Sequence, residues 1–205
     1  MNDREHWNTV YATKAEDQVS WYRPHLSRSL AFLDDANIGP SSGIIDVGGG
    51  ASTFVDDVLD RGYSNITVLD ISQAAFDAVR TRLGPRASRV RWICGDLTEV
   101  KLPEGAFDFW HDRAVFHFLR DAKARERYVN AVRRSLKPGG HIVVATFGPN
   151  GPKKCSGLDV MRFTPEGLHS EFGPSFARIE SANENHTTPW GTDQEFVYCY
   201  CRLSE

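Results

Sequence analysis

Three acids and a glycine run are the residues of this sequence best suited to chemistry. The stretch Asp46-Val47-Gly48-Gly49-Gly50-Ala51-Ser52 follows the β-branched pair Ile44-Ile45 and precedes a helical pattern. Glycines at such a junction let a ligand approach the backbone and adopt dihedrals that other residues avoid. A turn built for pyrophosphate would offer bare amides, and a carboxylate at its mouth would repel the phosphates. Asp46 therefore suits a ligand with an ammonium or other cationic part, the alternative being a plain strand-to-helix turn. Asp70 closes the next apolar run, NITVLD. A carboxylate there can accept hydrogen bonds from both hydroxyls of a ribose, or simply supply negative charge to a helix N-terminus. Asp96 follows Gly95 and precedes the apolar Leu97. It can take the exocyclic amine of a base, or close an ordinary Gly-Asp turn. His111 and His117 are the candidates for accepting a proton, because an unperturbed imidazole titrates near neutrality; a structural role is the alternative for both.

The elements that must position these residues follow from hydrophobic period. Leu26, Leu30 and Leu33 mark a helix that Gly39-Pro40 should end. Ile44 to Val47 predicts a buried strand, and Phe54, Val55, Val58 and Leu59 a helix stopped by Gly62. A second strand is predicted over Asn65 to Asp70, and Ser72 should cap a helix carrying Phe76, Val79 and Leu83. Strands follow at Arg89 to Cys94 and Phe107 to His111, then a helix with Tyr128, Val129, Val132 and Leu136, which Lys137-Pro138-Gly139-Gly140 should break. His141 to Phe147 is the fifth strand, and FARIESA with EFVYCYCR form a closing pair. This alternation predicts an α/β domain with a mainly parallel sheet covered on both faces, whose ligands bind at the carboxyl ends of the strands.

A chain of 205 residues suits one domain with a large core. Its 40% hydrophobic and 25% charged residues exclude collagen-like, coiled-coil and disordered classes. The net charge of −3 gives no reason to expect nucleic acid as a partner. No apolar run approaches the roughly 20 residues of a membrane span, so neither a membrane nor a secretory signal is expected and the location read from sequence is cytoplasmic. Cys94, Cys155, Cys199 and Cys201 are read as reduced thiols, and Cys199-x-Cys201 with His186 lacks the second ligand pair of a zinc site, so no metal is expected.

The ordered set IIDVGGGAS, VLDIS, CGDL, FDFWHDRAVFHFL and LKPGGHIVVATF resembles the class I S-adenosylmethionine-dependent methyltransferases across Leu26 to Glu205. The segment His111-Asp112-Arg113-Ala114 is similar to that of the thiopurine-methyltransferase-like branch. The resemblance implies a three-layer Rossmann-like sandwich with a seven-stranded, mainly parallel sheet and an antiparallel C-terminal strand. It implies S-adenosyl-L-methionine as cofactor, with Asp46, Gly48, Gly49 and Gly50 holding its methionyl part, Asp70 its ribose, and Asp96 with Leu97 framing its adenine, Ile71 being a further cofactor-binding residue. Arg113 would stand between cofactor and substrate. Residues 1–25, HWNTVYATKAEDQVSWYRP among them, would form a lid in which Trp21 and Tyr22 cover the cofactor, over a core of 26–205. Ser52 departs from the third glycine that many members carry.

The function so implied is transfer of a methyl group by direct displacement to a small-molecule or protein side-chain acceptor, with loops near 148–163 and 184–194 for recognition. His111 or His117 would serve if the acceptor needs deprotonation. A non-catalytic S-adenosylmethionine-binding module acting through a partner is the alternative. A nicotinamide-dependent oxidoreductase is disfavoured by Asp46 before the glycines and by the missing G-x-G-x-x-G spacing. The acceptor and the oligomeric state are open.

Overall fold

The computed structural model describes residues 3–204; Met1, Asn2 and Glu205, at the ends of the expected lid and core, lie outside them. Five strands in parallel, β1 (Gly43–Val47), β2 (Asn65–Asp70), β3 (Val90–Cys94), β4 (Phe107–Arg113) and β5 (Leu136–Phe147), are extended by a hairpin of β6 (Phe176–Thr187) and β7 (Asp193–Leu203). The strand order is β3-β2-β1-β4-β5-β7-β6, with β7 antiparallel to both neighbours. Order reverses at β1, so the crevice beyond the ends of β1 and β4 is where such a sheet binds ligands.

β1 is buried along its whole length, because both faces are covered. Its Ile44 packs with α2 (Ser27–Asp35), α3 (Phe54–Asp60) and α4 (Gln73–Leu83) on one side. Ile45 and Val47 pack with α5 (Ala122–Ser135) and α6 (Pro165–Phe172) on the other. The period of two therefore decides which face each rim residue joins. Ser72 caps α4 as expected, accepting the Ala75 N–H at 3.3 Å. Asp121 caps α5, whose last turn carries Arg133 and Arg134 against the helix dipole.

Several elements differ from the sequence reading. α6 and a ribbon of Lys154–Cys155 with Leu158–Asp159 fall where the sequence predicts no element. β6 runs to Thr187 and β7 starts at Asp193, so that only 188–192 of the expected 184–194 loop lies outside the strands. α2 ends at Asp35, before Gly39-Pro40, where Asn37 takes a positive φ of 48°, a conformation asparagine tolerates. β4 continues past His111 to Arg113. β5 starts at Leu136, so Lys137-Pro138-Gly139-Gly140 lies inside the strand rather than before it. Pairing there jumps from Phe107↔Leu136 to Phe109↔His141, and the irregularity accommodates a proline without a ladder hydrogen bond and Gly139 at φ 74°. Finally, the aromatic N-terminal segment contains a helix, α1 (Asp3–Thr13), where the hydrophobic pattern predicts no element. Among the described residues no helix is long and apolar enough to cross a membrane.

Candidate cofactor and acceptor cleft

Beyond the carboxyl ends of β1 to β4 lies a cleft of about 870 Å³ including its open mouth. It brings together Gly48, Asp70, Ile71, Asp96, Leu97 and Arg113. A smaller adjoining cavity adds Asp46, His111 and Tyr22, and shares Trp21, Gly48 and Arg113 with the first.

Each glycine of the turn is required by a different neighbour. Gly48 has φ +66°, and a Cβ there would stand 1.9 Å from Val115 Cγ2. At Gly49 it would meet Asp46 Oδ2 at 2.1 Å, and at Gly50 Ala75 Cβ at 2.5 Å and Asp70 Oδ2 at 2.7 Å. Of the three only Gly48 lines the cavities; Gly49 and Gly50 line neither and let the turn pack against Asp46, Ala75 and Asp70.

Asp46 and His111 are direct partners in the β1–β4 register and share a face of the sheet. The imidazole Nδ1 lies 2.7 Å from Asp46 Oδ1 and its Nε2 lies 2.8 Å from Ser29 Oγ. The ring is stacked on Phe54 at 4.0 Å between centroids. Both ring nitrogens are committed and His111 is only 1% exposed. Asp46 Oδ2, in contrast, is buried with no hydrogen-bond partner. A buried carboxylate oxygen left unpaired is costly, which marks it as a place where a ligand's donor belongs.

Asp70 accepts the Gly50 N–H on Oδ2 at 3.0 Å and the Ser72 N–H on Oδ1 at 2.8 Å. Burial nevertheless pushes its carboxyl up to about 6, the backbone amides opposing this and Asp46 adding to it. Asp96 is half-exposed and accepts the Thr98 N–H and hydroxyl on Oδ1, both at 2.8 Å, while Leu97 beside it is buried.

Asp112 points to the opposite face, where its Oδ2 accepts the Tyr128 hydroxyl at 2.6 Å and its Oδ1 the Val115 N–H at 3.0 Å. It anchors the turn in which Ala114 takes φ 73°. Arg113 returns to the Asp46 face. Its Nε donates to Tyr198 Oη at 3.1 Å and its Nη1 to the Trp21 carbonyl at 2.9 Å.

His117 takes no part in lining either cavity. It is fully buried against Phe147, its Nδ1 3.4 Å from the Phe147 backbone nitrogen, and burial with the Arg113 charge lowers its pKa to about 3. An imidazole so placed is neutral and shielded.

Among the cleft residues that the sequence did not single out as site residues, four side chains shape the roof and wall of the cleft. Trp7 and Tyr11, one helical turn apart on α1, form its roof, and with Trp21 and Phe118 they make a cluster with centroids 5.2 to 6.2 Å apart, edge-to-face except for the tilted Trp7–Tyr11 pair. The i, i+4 spacing of Trp7 and Tyr11 was the available signal. Cys155 is the fourth, buried and facing the cleft from a short ribbon of Lys154–Cys155 and Leu158–Asp159. Its turn, Ser156-Gly157, has positive φ at both residues, as a tight two-residue hairpin demands. Asn8 ties α1 down, its Oδ1 accepting from Ser72 Oγ at 2.8 Å and from the Ala74 N–H at 3.4 Å. His186 ties the segment after it to the β6–β7 hairpin, through the Ser20 carbonyl at 2.5 Å and Arg23 Nε at 2.9 Å. Lys153 and Lys154 of the expected substrate loop are exposed, and so is Trp190 at the hairpin tip.

A family model described as "Methyltransferase domain" matches residues 45–144, from the middle of β1 through most of β5. The chain is 24% identical over 145 residues to the eEF1A lysine and N-terminal methyltransferase of Bos taurus, covering 68% of this chain and 20% of that protein. It is 31% identical over 107 residues to the ubiquinone/menaquinone biosynthesis C-methyltransferase UbiE of Methylobacterium nodulans, covering 51% of this chain and 41% of that one. The chain thus spans well under half of either relative's length. In fold it is similar to the N-methyltransferase NodS of Bradyrhizobium japonicum, solved in complex with S-adenosyl-L-homocysteine, with a TM-score of 0.74, 17% identity, and coverage of 99% and 100%. The methyltransferase-domain match therefore spans the glycine turn and the acidic strand ends, in a sheet whose fold is similar end to end to that of such an enzyme.

Proposed function

We propose that this chain transfers a methyl group from S-adenosylmethionine to an oxygen, nitrogen or sulfur atom of a small-molecule or protein side-chain acceptor, by direct in-line displacement. The observation that carries this reading is the free Oδ2 of Asp46, buried, partnerless and uncovered only because position 49 is glycine. It is a ready acceptor for the ammonium of the methionyl part. The turn of Gly48, Gly49 and Gly50 cradles that part, Asp70 faces the ribose, Ile71 and Leu97 flank the adenine, and Asp96 takes its amine. Trp21 and Arg113 stand at the sulfonium end, and Tyr22 walls the methionyl cavity.

When bound, the cofactor supplies an electrophilic methyl group. The chain's own contribution is alignment and exclusion of water. Aligned partners gain up to roughly 7–11 kcal/mol from proximity alone, so a base is not obligatory. The lid residues Trp7, Tyr11 and Trp21 close the cleft over this alignment. Both nitrogens of His111 are engaged by Asp46 and Ser29, which suits a positioning residue that aims Asp46 rather than a base toward the acceptor. The shielding of His117 supports no base role for it either. Titration calorimetry with S-adenosylmethionine and S-adenosylhomocysteine, followed by assay of S-adenosylhomocysteine release with acids, thiols, amines and proteins as acceptors, tests the reading. One-site binding with turnover is the expected result. Binding with no turnover on any acceptor class would favour the non-catalytic alternative, and no binding would refute both.

A further inference from the structure

Among the described residues Arg113 is a buried cation that forms no ion pair. It is 8% exposed, and its Nη2 is shut off from solvent with no hydrogen-bond partner. The ion pairs found among the described residues all fall on other cations. What it has instead is two neutral acceptors, Tyr198 Oη and the Trp21 carbonyl, and the Phe196 ring 4.3 Å from Cζ. Charged side chains are rarely buried unless paired, because desolvation costs more than neutral partners return.

The position of the guanidinium says what it awaits. Arg113 ends β4, but its head rests on Phe196 and Tyr198 of β7, which lies beyond β5 in the strand order. The side chain reaches across to β7, while Arg113 lines both the larger cleft and the smaller Asp46 cavity. Asp46, on the adjacent β1, gives its Oδ1 to His111 and forms no ion pair with Arg113, and Asp70 and Asp96, on β2 and after β3, lie two and three strand spacings from β4, about 10 and 14 Å. Acids crowd the cofactor end of the rim, and the other end is positive. His117 and His186 register that field, each lowered first by burial and then by the Arg113 charge. In front of the guanidinium the cleft is lined by Trp7, Trp21, Phe118 and the Cys155 thiol, an apolar and largely aromatic wall.

We propose that Arg113 anchors an oxyanion of the methyl acceptor, so that the acceptor is a small molecule with an apolar or aromatic body and a carboxylate-like group, not a lysine side chain. This rests on the methyl-transfer reading above and narrows it. A cationic lysine would meet the unpaired guanidinium at the place where it must enter, whereas a carboxylate completes the missing ion pair with a fork geometry. Trp21 roofs the site from the lid, so access follows opening of that segment.

Benzoate, benzamide and benzylamine share a ring and differ in charge, and they serve as probes. Each is titrated into the protein with and without S-adenosylhomocysteine, and binding is followed by ligand-observed NMR. Benzoate is expected to bind more tightly than both others, and Arg113→Gln to weaken it about tenfold or more, as loss of a charge-assisted hydrogen bond does. Equal binding of the three, or preference for benzylamine, overturns the proposal without reference to any variant. Separate titrations of S-adenosylhomocysteine and 5′-methylthioadenosine give the ratio of their affinities, which reports the methionyl contacts. If Arg113→Gln collapses that ratio while benzoate is unaffected, the guanidinium serves the cofactor's carboxylate and the proposal is wrong. Failure of S-adenosylhomocysteine to bind would sink the cofactor reading, while the comparison of benzoate with benzylamine made without it still decides the anion site. Arg113→Lys, which keeps the charge, provides the comparison if the glutamine variant does not fold.

Discussion

Replacing Asp70 by asparagine should make the ligand-free protein more stable at neutral pH while damaging cofactor binding. In the folded chain burial moves the Asp70 carboxyl from 3.8 to about 6. The folded state then holds a proton that the unfolded state has released between pH 4 and 6, so stability falls as pH rises through this window. Above pH 6 the ionised carboxylate costs the fold about 3 kcal/mol, the displacement multiplied by 1.36. Asparagine removes that cost but has one acceptor oxygen for the two backbone N–H groups of Gly50 and Ser72, and losing one such bond costs about 1 kcal/mol. The net expectation is a gain of about 2 kcal/mol at pH 7.5 that disappears or reverses near pH 4. Asp112 titrates in the same window but is present in both proteins and cancels in the difference. Urea unfolding of wild type and Asp70→Asn at pH 4 and 7.5, without cofactor, measures it. The same variant should lose about 1–3 kcal/mol of S-adenosylhomocysteine affinity, since an amide replaces a charged acceptor. Equal or lower stability than wild type at pH 7.5, or undiminished affinity, would refute the reasoning.

The structure makes further predictions. Gly48→Ala must fit a Cβ against Val115 Cγ2 at a positive φ, and should lower stability by about 1–3 kcal/mol and abolish measurable cofactor binding in calorimetry. His111→Phe leaves Asp46 without its partner and should destabilise the fold by about 3–5 kcal/mol, whereas His111→Gln should fold and raise KM for S-adenosylmethionine more than it lowers kcat. Alkylation with iodoacetamide followed by mass spectrometry should label exposed Cys94 first; Cys155, whose thiol burial pushes up to about 12, should react slowly and still more slowly with S-adenosylhomocysteine present. Fast labelling of Cys155 would contradict its place under the lid. Trp21→Ala should weaken cofactor binding or turnover, and unchanged kinetics would reduce its role to packing.

The sheet was legible because strand and helix periods differ and because Gly62, Ser72 and Gly84 punctuate them. The acids fell where the rule about strand ends puts them. What escaped is non-local. The irregular start of β5 lies in a stretch whose local residues read as a break, and only pairing with β4 keeps it extended. α1 buries Val10 alone and packs most of its aromatic face on other aromatics, so its apolar pattern is weak. His111 and His117 sit in one motif, yet the first meets Asp46 through strand register and the second is turned into the core beside Phe147. Nothing local distinguishes them. Among the described residues Arg113 lacks an acidic partner for a similarly tertiary reason, since its head crosses to β7.

The cofactor assignment is tested most directly by a crystal structure of the protein with S-adenosylhomocysteine. Adenine is expected between Ile71 and Leu97, ribose hydroxyls on Asp70, and the ammonium within hydrogen-bond distance of Asp46 Oδ2, with Arg113 Nη2 left free on the acceptor side. A ligand bound elsewhere, or an Asp46 Oδ2 still without a partner in the complex, would contradict it.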